Sequence, residues 1–357
     1  MRRALKLAER GRGATRPNPI VGAVLVRGGR VVGEGWHTAA GASHAEVMAL
    51  RRAGARARGA TLYVTLEPCA HVGRTPPCVD ALIAAGIERC VVAMRDPHRI
   101  VNGRGIARLR RAGIDVEVGV CGAQARCSLE GYVRAHRDGR PRVTWKLGTS
   151  LDGRIADARG RSRWITGPVS RAHAHRLRAM SDAIVIGSRT ARLDDPRLTA
   201  RTRGVRLQPL RVVCDTRLRL PLTLRLFCPP LARGTVVACG RGAGVARRRA
   251  FEAQGVTVWD LPVRAGRVSP KALARRLVSA GCHEVLLESG AALGSEWLRA
   301  GLVDRLALYL APLVMGEAGQ SWCGRLGAGR LEQALRGRLI EQRRVGDDAF
   351  LLIELRR

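Results

Sequence analysis

His44 and Glu46 stand two residues apart, and further along Cys69 and Cys78 enclose a gap of eight. One histidine and two cysteines can hold a zinc ion and leave its fourth position to water, as catalytic sites do and closed structural sites do not. Zinc brings the pKa of that water toward neutrality. A glutamate beside the histidine, not itself a ligand, then shuttles its proton. Ligand set and proton carrier together are those of hydrolytic deaminases, which replace an exocyclic amine on a nucleobase-like ring by oxygen. Taken singly, each residue has a plainer reading, since a lone cysteine is most often a small buried apolar side chain. The joint arrangement carries the inference.

The elements that must position these groups are legible around them. Ser43 is the expected N-cap of an apolar-periodic helix that opens with Ala45-Glu46-Val47 and ends at Gly54. Leu62-Tyr63-Val64-Thr65-Leu66 reads as a buried strand. Pro77-Cys78-Val79 reads as a helix start with proline in its first turn. His44 and Cys78 therefore fall at two helix N-termini, where the dipole favours a thiolate. Deaminases of nucleosides, tRNA and DNA carry Pro-Cys-x-x-Cys. The longer loop here, Ala70 to Pro77, points to a different substrate.

Several segments resemble the bifunctional deaminase/reductase family of riboflavin biosynthesis. They are Pro17-Asn18-Pro19-Ile20-Val21-Gly22, Gly33-Glu34-Gly35-Trp36-His37, His44-Ala45-Glu46 and the run Glu67 to Cys78. The likeness continues through Lys146-Leu147-Gly148-Thr149-Ser150-Leu151-Asp152-Gly153, Trp164-Ile165-Thr166, Leu177-Arg178-Ala179, the run Leu193 to Thr199, and Glu288-Ser289-Gly290. Nearly the whole chain is covered, in the family's order. The resemblance implies an α/β protein of two domains. Residues 1–140 would be a cytidine-deaminase-like α/β/α domain, and residues 141–357 a dihydrofolate-reductase-like α/β domain using NADPH.

Carried over residue by residue, the resemblance makes His44, Cys69 and Cys78 the zinc ligands and Glu46 the proton carrier. Asn18 becomes a contact to the pyrimidine; on its own it is a turn residue between two prolines. His71 and Arg74 are loop residues able to meet polar or phosphate groups. Thr149, Trp164, Thr190, Asp194, Thr216 and the turn Gly290, Ala291, Ala292, Leu293, Gly294, Ser295 and Glu296 match cofactor-contacting positions. Ser162, Arg178, Leu198, Arg201 and Glu288 match substrate-contacting ones. Arg178 and Arg201 would fork the ribose phosphate, because guanidinium pairs bidentately with phosphate. Lys146, Asp194 and Glu288 are open alternatives as the proton source in hydride transfer. Two departures stand out: His98-Arg99 replaces the family's Asn-Pro after Asp96-Pro97, and Leu313 replaces a lysine after Ala311-Pro312. Members of the family usually carry a few more residues before the first helix, so the start is expected to lie upstream.

Composition bounds the rest. A chain of 357 residues with 46% hydrophobic content fills two cores. It has no uninterrupted apolar run long enough for a membrane span. The N-terminus lacks the apolar stretch of a signal peptide. Ten cysteines, two of them assigned to zinc and the rest scattered, read as buried thiols of a cytoplasmic protein rather than as disulfides. The net charge of +34 would ordinarily suggest nucleic acid. Here it is spread along the chain and is nearly all arginine, while aromatics at 3% leave few stacking platforms. No specific nucleic-acid partner is therefore expected, only salt-sensitive adhesion.

The second half alternates expected strands (183–187, 211–214, 235–238, 256–259, 284–287, 305–310 and 349–355) with helices such as 270–280. It lacks Gly-x-Gly-x-x-Gly, which excludes the Rossmann fingerprint. The expected function is zinc-dependent deamination of a small pyrimidine ribosylamine phosphate, then reduction of the ribosyl to a ribityl chain by NADPH, in an oligomer of identical chains. Two rivals are a tRNA-type nucleic-acid deaminase and a non-catalytic RNA-binding protein on a deaminase fold. Deamination of RNA would favour the first, and tight RNA binding indifferent to Glu46→Gln the second.

Overall fold

The computed structural model describes residues 1–73, 76–327 and 329–356. The chain divides into two compact units, Met1–Gly139 and Arg140–Arg357.

The first unit contains α1 (Arg2–Ala8), β1 (Gly22–Arg27), β2 (Arg30–Trp36), α2 (Ala45–Ala53), β3 (Thr61–Val64), α3 (Cys78–Ala84), β4 (Arg89–Val92), α4 (Arg104–Arg111), β5 (Asp115–Val118), α5 (Gly122–Ser128) and α6 (Glu130–Asp138). Its sheet runs β2-β1-β3-β4-β5. The first three strands are antiparallel to their neighbours, and β3, β4 and β5 are parallel. Alternation along β1 sends Ala23 and Leu25 into a core with Ala45, Ala49, Leu62, Val64, Val79 and Leu82. Val24, on the other face, packs with Ala4 and Leu7 of α1. Helix α2 lies directly on the backbone of β2: a Cβ at Gly35 would come within 2.1 Å of the Ala45 carbonyl oxygen. Glycine is required there because the helix that begins after His44 touches the sheet.

Two sequence expectations are corrected in this unit. The N-cap of α2 is His44, with extended φ −69° and ψ 163° and no side-chain capping bond, rather than Ser43. The helix expected over 123–137 is two, separated at Leu129, whose φ of −103° and ψ of 18° leave the helical region. The break lets Leu129 and Tyr132 both enter a small core with Ala8, Ile20 and Met94.

The second unit contains β6 (Arg142–Ser150), β7 (Arg154–Ala156), α7 (Pro168–Ala179), β8 (Ala183–Gly187), α8 (Ser188–Asp194), β9 (Leu210–Cys214), β10 (Thr235–Gly240), α9 (Val245–Ala253), β11 (Thr257–Leu261), β12 (Val263–Arg264), β13 (Arg267–Val268), α10 (Pro270–Ser279), β14 (Glu284–Leu287), α11 (Ala291–Arg299), β15 (Arg305–Ala311), β16 (Gln320–Ser321), β17 (Gly337–Val345) and β18 (Asp348–Leu355). Nine strands form one sheet, ordered β11-β10-β9-β8-β14-β6-β15-β18-β17. The run from β11 to β15 is parallel; β18 and β17 close it antiparallel. Alternate residues feed two cores, one around Trp145, Val185, Leu287 and Trp297, the other around Ile184, Ile186, Phe227 and Phe251. Such a sheet gathers the loops that follow its parallel strands along one edge, where α/β proteins bind ligands. Among the described residues no helix is long and apolar enough to cross a membrane, and all ten cysteines are free thiols.

Candidate active sites

In the first unit the end of β3 and the starts of α2 and α3 converge. His44 caps α2, Cys78 opens α3, and Cys69 lies on the loop beyond β3. Their ligand atoms all lie within 4.8 Å of one another. His44 Nδ1 is 2.9 Å from Cys78 Sγ and 3.5 Å from Cys69 Sγ. Zinc bonds of ~2.0–2.3 Å to nitrogen and sulfur set tetrahedral ligand atoms roughly 3.5 Å apart, so the three donors fit that ion. The Cys78 N–H also donates to Cys69 Sγ at 3.3 Å. Glu46, 3% exposed, turns Oε2 into the site without a hydrogen-bond partner. Burial pushes its carboxyl up to about 7, against the pull of His44. A carboxyl poised near neutrality suits proton transfer in both directions.

Asn18 sits one ring away. Its Nδ2 is 3.0 Å from His37 Nε2, and the His37 ring meets the His44 ring edge-on at 5.4 Å. His37 is kept neutral by burial, which lowers its pKa. Its Nδ1 faces the Ser43 carbonyl at 3.4 Å, an acceptor only, so Nδ1 carries the hydrogen. Nε2 then accepts from Asn18, whose side-chain oxygen remains an acceptor. The sequence reading gave His37 no role.

It also gave none to Glu67. This buried carboxylate accepts the N–H groups of Asp96, Gly103, Gly105 and Ile106 at 3.1, 2.9, 3.0 and 3.3 Å. It ties the segment before Cys69 to the loop before α4 and to the first turn of that helix. His98, one of the departures, turns its ring against His136 at 4.5 Å and accepts the Ile100 N–H. His71 is exposed; Arg74 lies outside the described residues.

The second unit opens a cleft of about 770 Å³ along the ends of its parallel strands. Ser162, Arg178, Thr190, Asp194, Leu198, Thr216, Glu288, Gly290, Ala291, Ala292, Leu293 and Glu296 line it together with Lys146. Leu198 holds a φ of +48°, rare for a branched side chain. Five expected contacts are not among the lining residues. Thr149 is buried on β6 with Oγ1 unpaired. Trp164, 68% exposed, carries the Arg171 guanidinium over its ring at 4.3 Å. Arg201 is exposed and donates to Thr199 Oγ1 at 3.0 Å. Ser295 accepts the Gly324 N–H at 2.8 Å, and Gly294 faces Trp145. Leu313, the second departure, is also off the lining; its carbonyl accepts the Leu151 N–H. Arg189 and Arg267, which no local sequence signal marked, also line the cleft, as does Ser289 of the segment Glu288-Ser289-Gly290.

The expected Arg178 fork is engaged elsewhere. Arg178 Nε and Nη2 donate to the two oxygens of Glu288 at 2.6 and 2.7 Å, and Nη1 reaches the Thr199 carbonyl at 3.3 Å. Burial alone would raise the Glu288 carboxyl, but the charge and hydrogen bonds of Arg178 outweigh it and hold Glu288 down to about 2. Loss of solvation lowers the pKa of Lys146, while Glu288 and Asp194 oppose the shift. Asp194 is shifted up by desolvation.

Residues 141–351 match the family described as the RibD C-terminal domain, and residues 1–94 match the cytidine and deoxycytidylate deaminase zinc-binding region. The chain is 42% identical over 366 residues to riboflavin biosynthesis protein RibD of Escherichia coli K12, covering 98% of this chain and 97% of that protein. Among solved structures, Acinetobacter baumannii RibD in its form 1 superposes with a TM-score of 0.92 at 38% identity, covering 100% and 98% of the two chains. A diaminohydroxyphosphoribosylaminopyrimidine deaminase/5-amino-6-(5-phosphoribosylamino)uracil reductase of Thermotoga maritima superposes with a TM-score of 0.85 at 32% identity, covering 100% and 97%.

Proposed function

The chain belongs to the RibD family, and from that membership we propose how its own residues carry the family's two reactions. It is a bifunctional enzyme of riboflavin biosynthesis, a zinc-dependent deaminase followed by an NADPH-dependent reductase. The substrate is a diaminopyrimidinone ribosylamine 5′-phosphate, and the deaminated product feeds the second reaction.

In the deaminase, His44, Cys69 and Cys78 hold the metal. When bound, zinc supplies the Lewis acidity that makes water a nucleophile at neutral pH. Glu46 takes that water's proton on its unpaired Oε2 and passes it to the departing amine, a role suited to its raised pKa. Asn18, oriented by His37, presents its oxygen to a donor on the pyrimidine ring.

In the reductase, NADPH supplies hydride to the amine-bearing ribose carbon. The bond from that carbon to the ring oxygen breaks, and the oxygen takes a proton. Glu288, held ionised by Arg178, is a poor donor at neutral pH. Lys146 lines the same cleft and is drawn toward losing its proton, so its Nζ is the donor we assign. Since Arg178 is committed to Glu288, the exposed Arg201 takes the larger share of the ribose phosphate. The outermost strand β17 leaves one edge unpaired and exposes Leu339 and Ile340, which supports association of identical chains through that edge.

The observation that carries the reading is the convergence of three zinc donors beside a buried, unpaired carboxylate. The experiment is NADPH oxidation by the purified chain supplied only with the diamino substrate. Oxidation that stops on zinc removal and survives when the deaminated compound is supplied supports two sequential halves. Oxidation of neither compound would sink the reductase assignment, and release of ammonia without zinc would sink the deaminase assignment.

A further inference from the structure

The cleft of about 770 Å³ has to take a dinucleotide and a pyrimidine ribosyl phosphate together. A single drug-sized ligand fills a pocket of roughly 300–1,000 Å³, so the pair needs more room than the cleft alone gives. A second cavity, of about 700 Å³, adjoins it; Arg267, Ala291, Ala292 and Glu296 line both. The rest of its wall includes Arg264, Lys271 and Arg299. With Arg267 that makes four cationic side chains against one carboxylate, Glu296.

The cleft has a direction. Arg178 and Glu288, expected to meet substrate, are bonded to each other, and Thr216, expected to meet the cofactor, is bonded to Val268 beside Arg267. The turn into α11 follows Glu288 directly and lines the same cleft. There Ser289, 7% exposed, lines the cleft with an unpartnered Oγ, and the first amides of a helix are suited to hold an anion. A pyrophosphate at this turn sends the adenosine half of the cofactor toward Arg267 and the second cavity.

We propose that the second cavity receives the adenosine 2′-phosphate of NADPH, and that Arg267 is the residue that distinguishes NADPH from NADH. The proposal rests on the NADPH-dependent reductase reading and names a specificity determinant within it. Among the described residues Arg267 is the one cationic side chain that lines both cavities. Its side chain is 55% exposed, and its ion pair with Glu296 spans 3.7 Å, beyond hydrogen-bond range. Its fork of donors is thus available to a phosphate, whose geometry it matches bidentately. The hairpin that carries it is fixed: the Val268 N–H donates to Thr216 Oγ1 at 3.1 Å, and the Ser269 N–H to the Pro262 carbonyl at 2.8 Å. Thr216 keeps its own hydroxyl proton to offer. Glu296 Oε2, buried and without a hydrogen bond, is an acceptor for a ribose hydroxyl.

The test measures dissociation constants of NADPH, NADH, 2′,5′-ADP and 5′-AMP for the full chain without substrate, in wild type and Arg267→Gln. The expectation is that Arg267→Gln weakens NADPH and 2′,5′-ADP by about tenfold or more, the scale of one charge-assisted phosphate contact, and leaves NADH and 5′-AMP unchanged. Equal weakening of both dinucleotides, or of neither, overturns the proposal. The unmodified chain asks the same question without a mutation: 2′,5′-ADP no tighter than 5′-AMP also overturns it. A wild type that binds neither dinucleotide fails at the reductase reading. One that binds both equally fails only here.

Discussion

Replacing Gly294 by alanine adds a single methyl group one turn into α11, the helix proposed to receive the cofactor. A Cβ built there would lie 1.8 Å from Cζ2 of Trp145, 2.2 Å from Cε2 and 2.3 Å from Cη2. Carbon atoms rest at about 3.5–4.0 Å, so helix and indole must part by more than 1 Å, on the order of a bond length. The indole has nowhere to go. Trp145 is fully buried, and its Nε1 donates to the Ser289 carbonyl at 3.0 Å. Overpacking of this kind costs about 1–3 kcal/mol. Losing the indole bond inside the core costs about another 1–3 kcal/mol, while alanine's helix preference returns about 1 kcal/mol. The expected net loss is about 1–5 kcal/mol. Urea unfolding followed by tryptophan fluorescence reads the stability, and NADPH titration reads the displaced turn, since Ser289 and Gly290 move with the helix. Ammonia release serves as the internal control and should not change. A midpoint shifted by less than about 0.5 kcal/mol, with unchanged NADPH affinity, would refute the close approach of Gly294 to Trp145.

Glu46→Gln should lower ammonia release by about 10²–10⁴-fold, the usual share of a general acid/base, while metal analysis still finds the wild-type zinc content. Arg178→Ala strands Glu288 as an unpaired buried charge and should destabilise the second unit by about 3–5 kcal/mol; Glu288→Gln added to it should recover part of the loss, read by urea unfolding. The same pair sets a pH dependence. Glu288 is held down to about 2 from the ordinary 4.5, so its contribution is complete above about pH 4.5 and is lost as pH falls toward 2. The urea midpoint of wild type should fall across that window more steeply than that of Glu288→Gln.

The zinc site was legible because its chemistry fixes residue types at short separations. Strands β8 and β14 were legible to the residue, since buried parallel strands are continuous apolar runs between turns. Strand β17 was not. Nearly every position is exposed and arginine or glutamate interrupts it, so the alternation that betrays a half-buried strand is missing. The misreadings of Gly294, expected to meet the cofactor, and Arg178, expected to fork the phosphate, have another cause. A likeness of segments assigns a neighbourhood, while the direction of each side chain depends on partners far along the chain. Gly294 answers to Trp145, and Arg178 to Glu288, both more than a hundred residues away. Glu67 was invisible for the same reason, because all four of its partners are backbone amides of a distant loop and of the helix that follows it.

That carboxylate also bears on how the enzyme exchanges its metal. In a zinc finger the ion organises the chain, so binding and folding are one event and a chelator unfolds the domain. Here the three proposed ligands are held by other means. His44 is set by a helix pressed onto bare strand backbone, and Cys78 by a helix packed into the core. The segment before Cys69 is anchored by four amides on one carboxylate. The entropy of arranging the ligands is settled when the chain folds, before any ion arrives. Metal-free protein should therefore persist as a folded reservoir, from which activity returns at the rate zinc diffuses in and its ligands shed their protons, not at the slower pace of refolding.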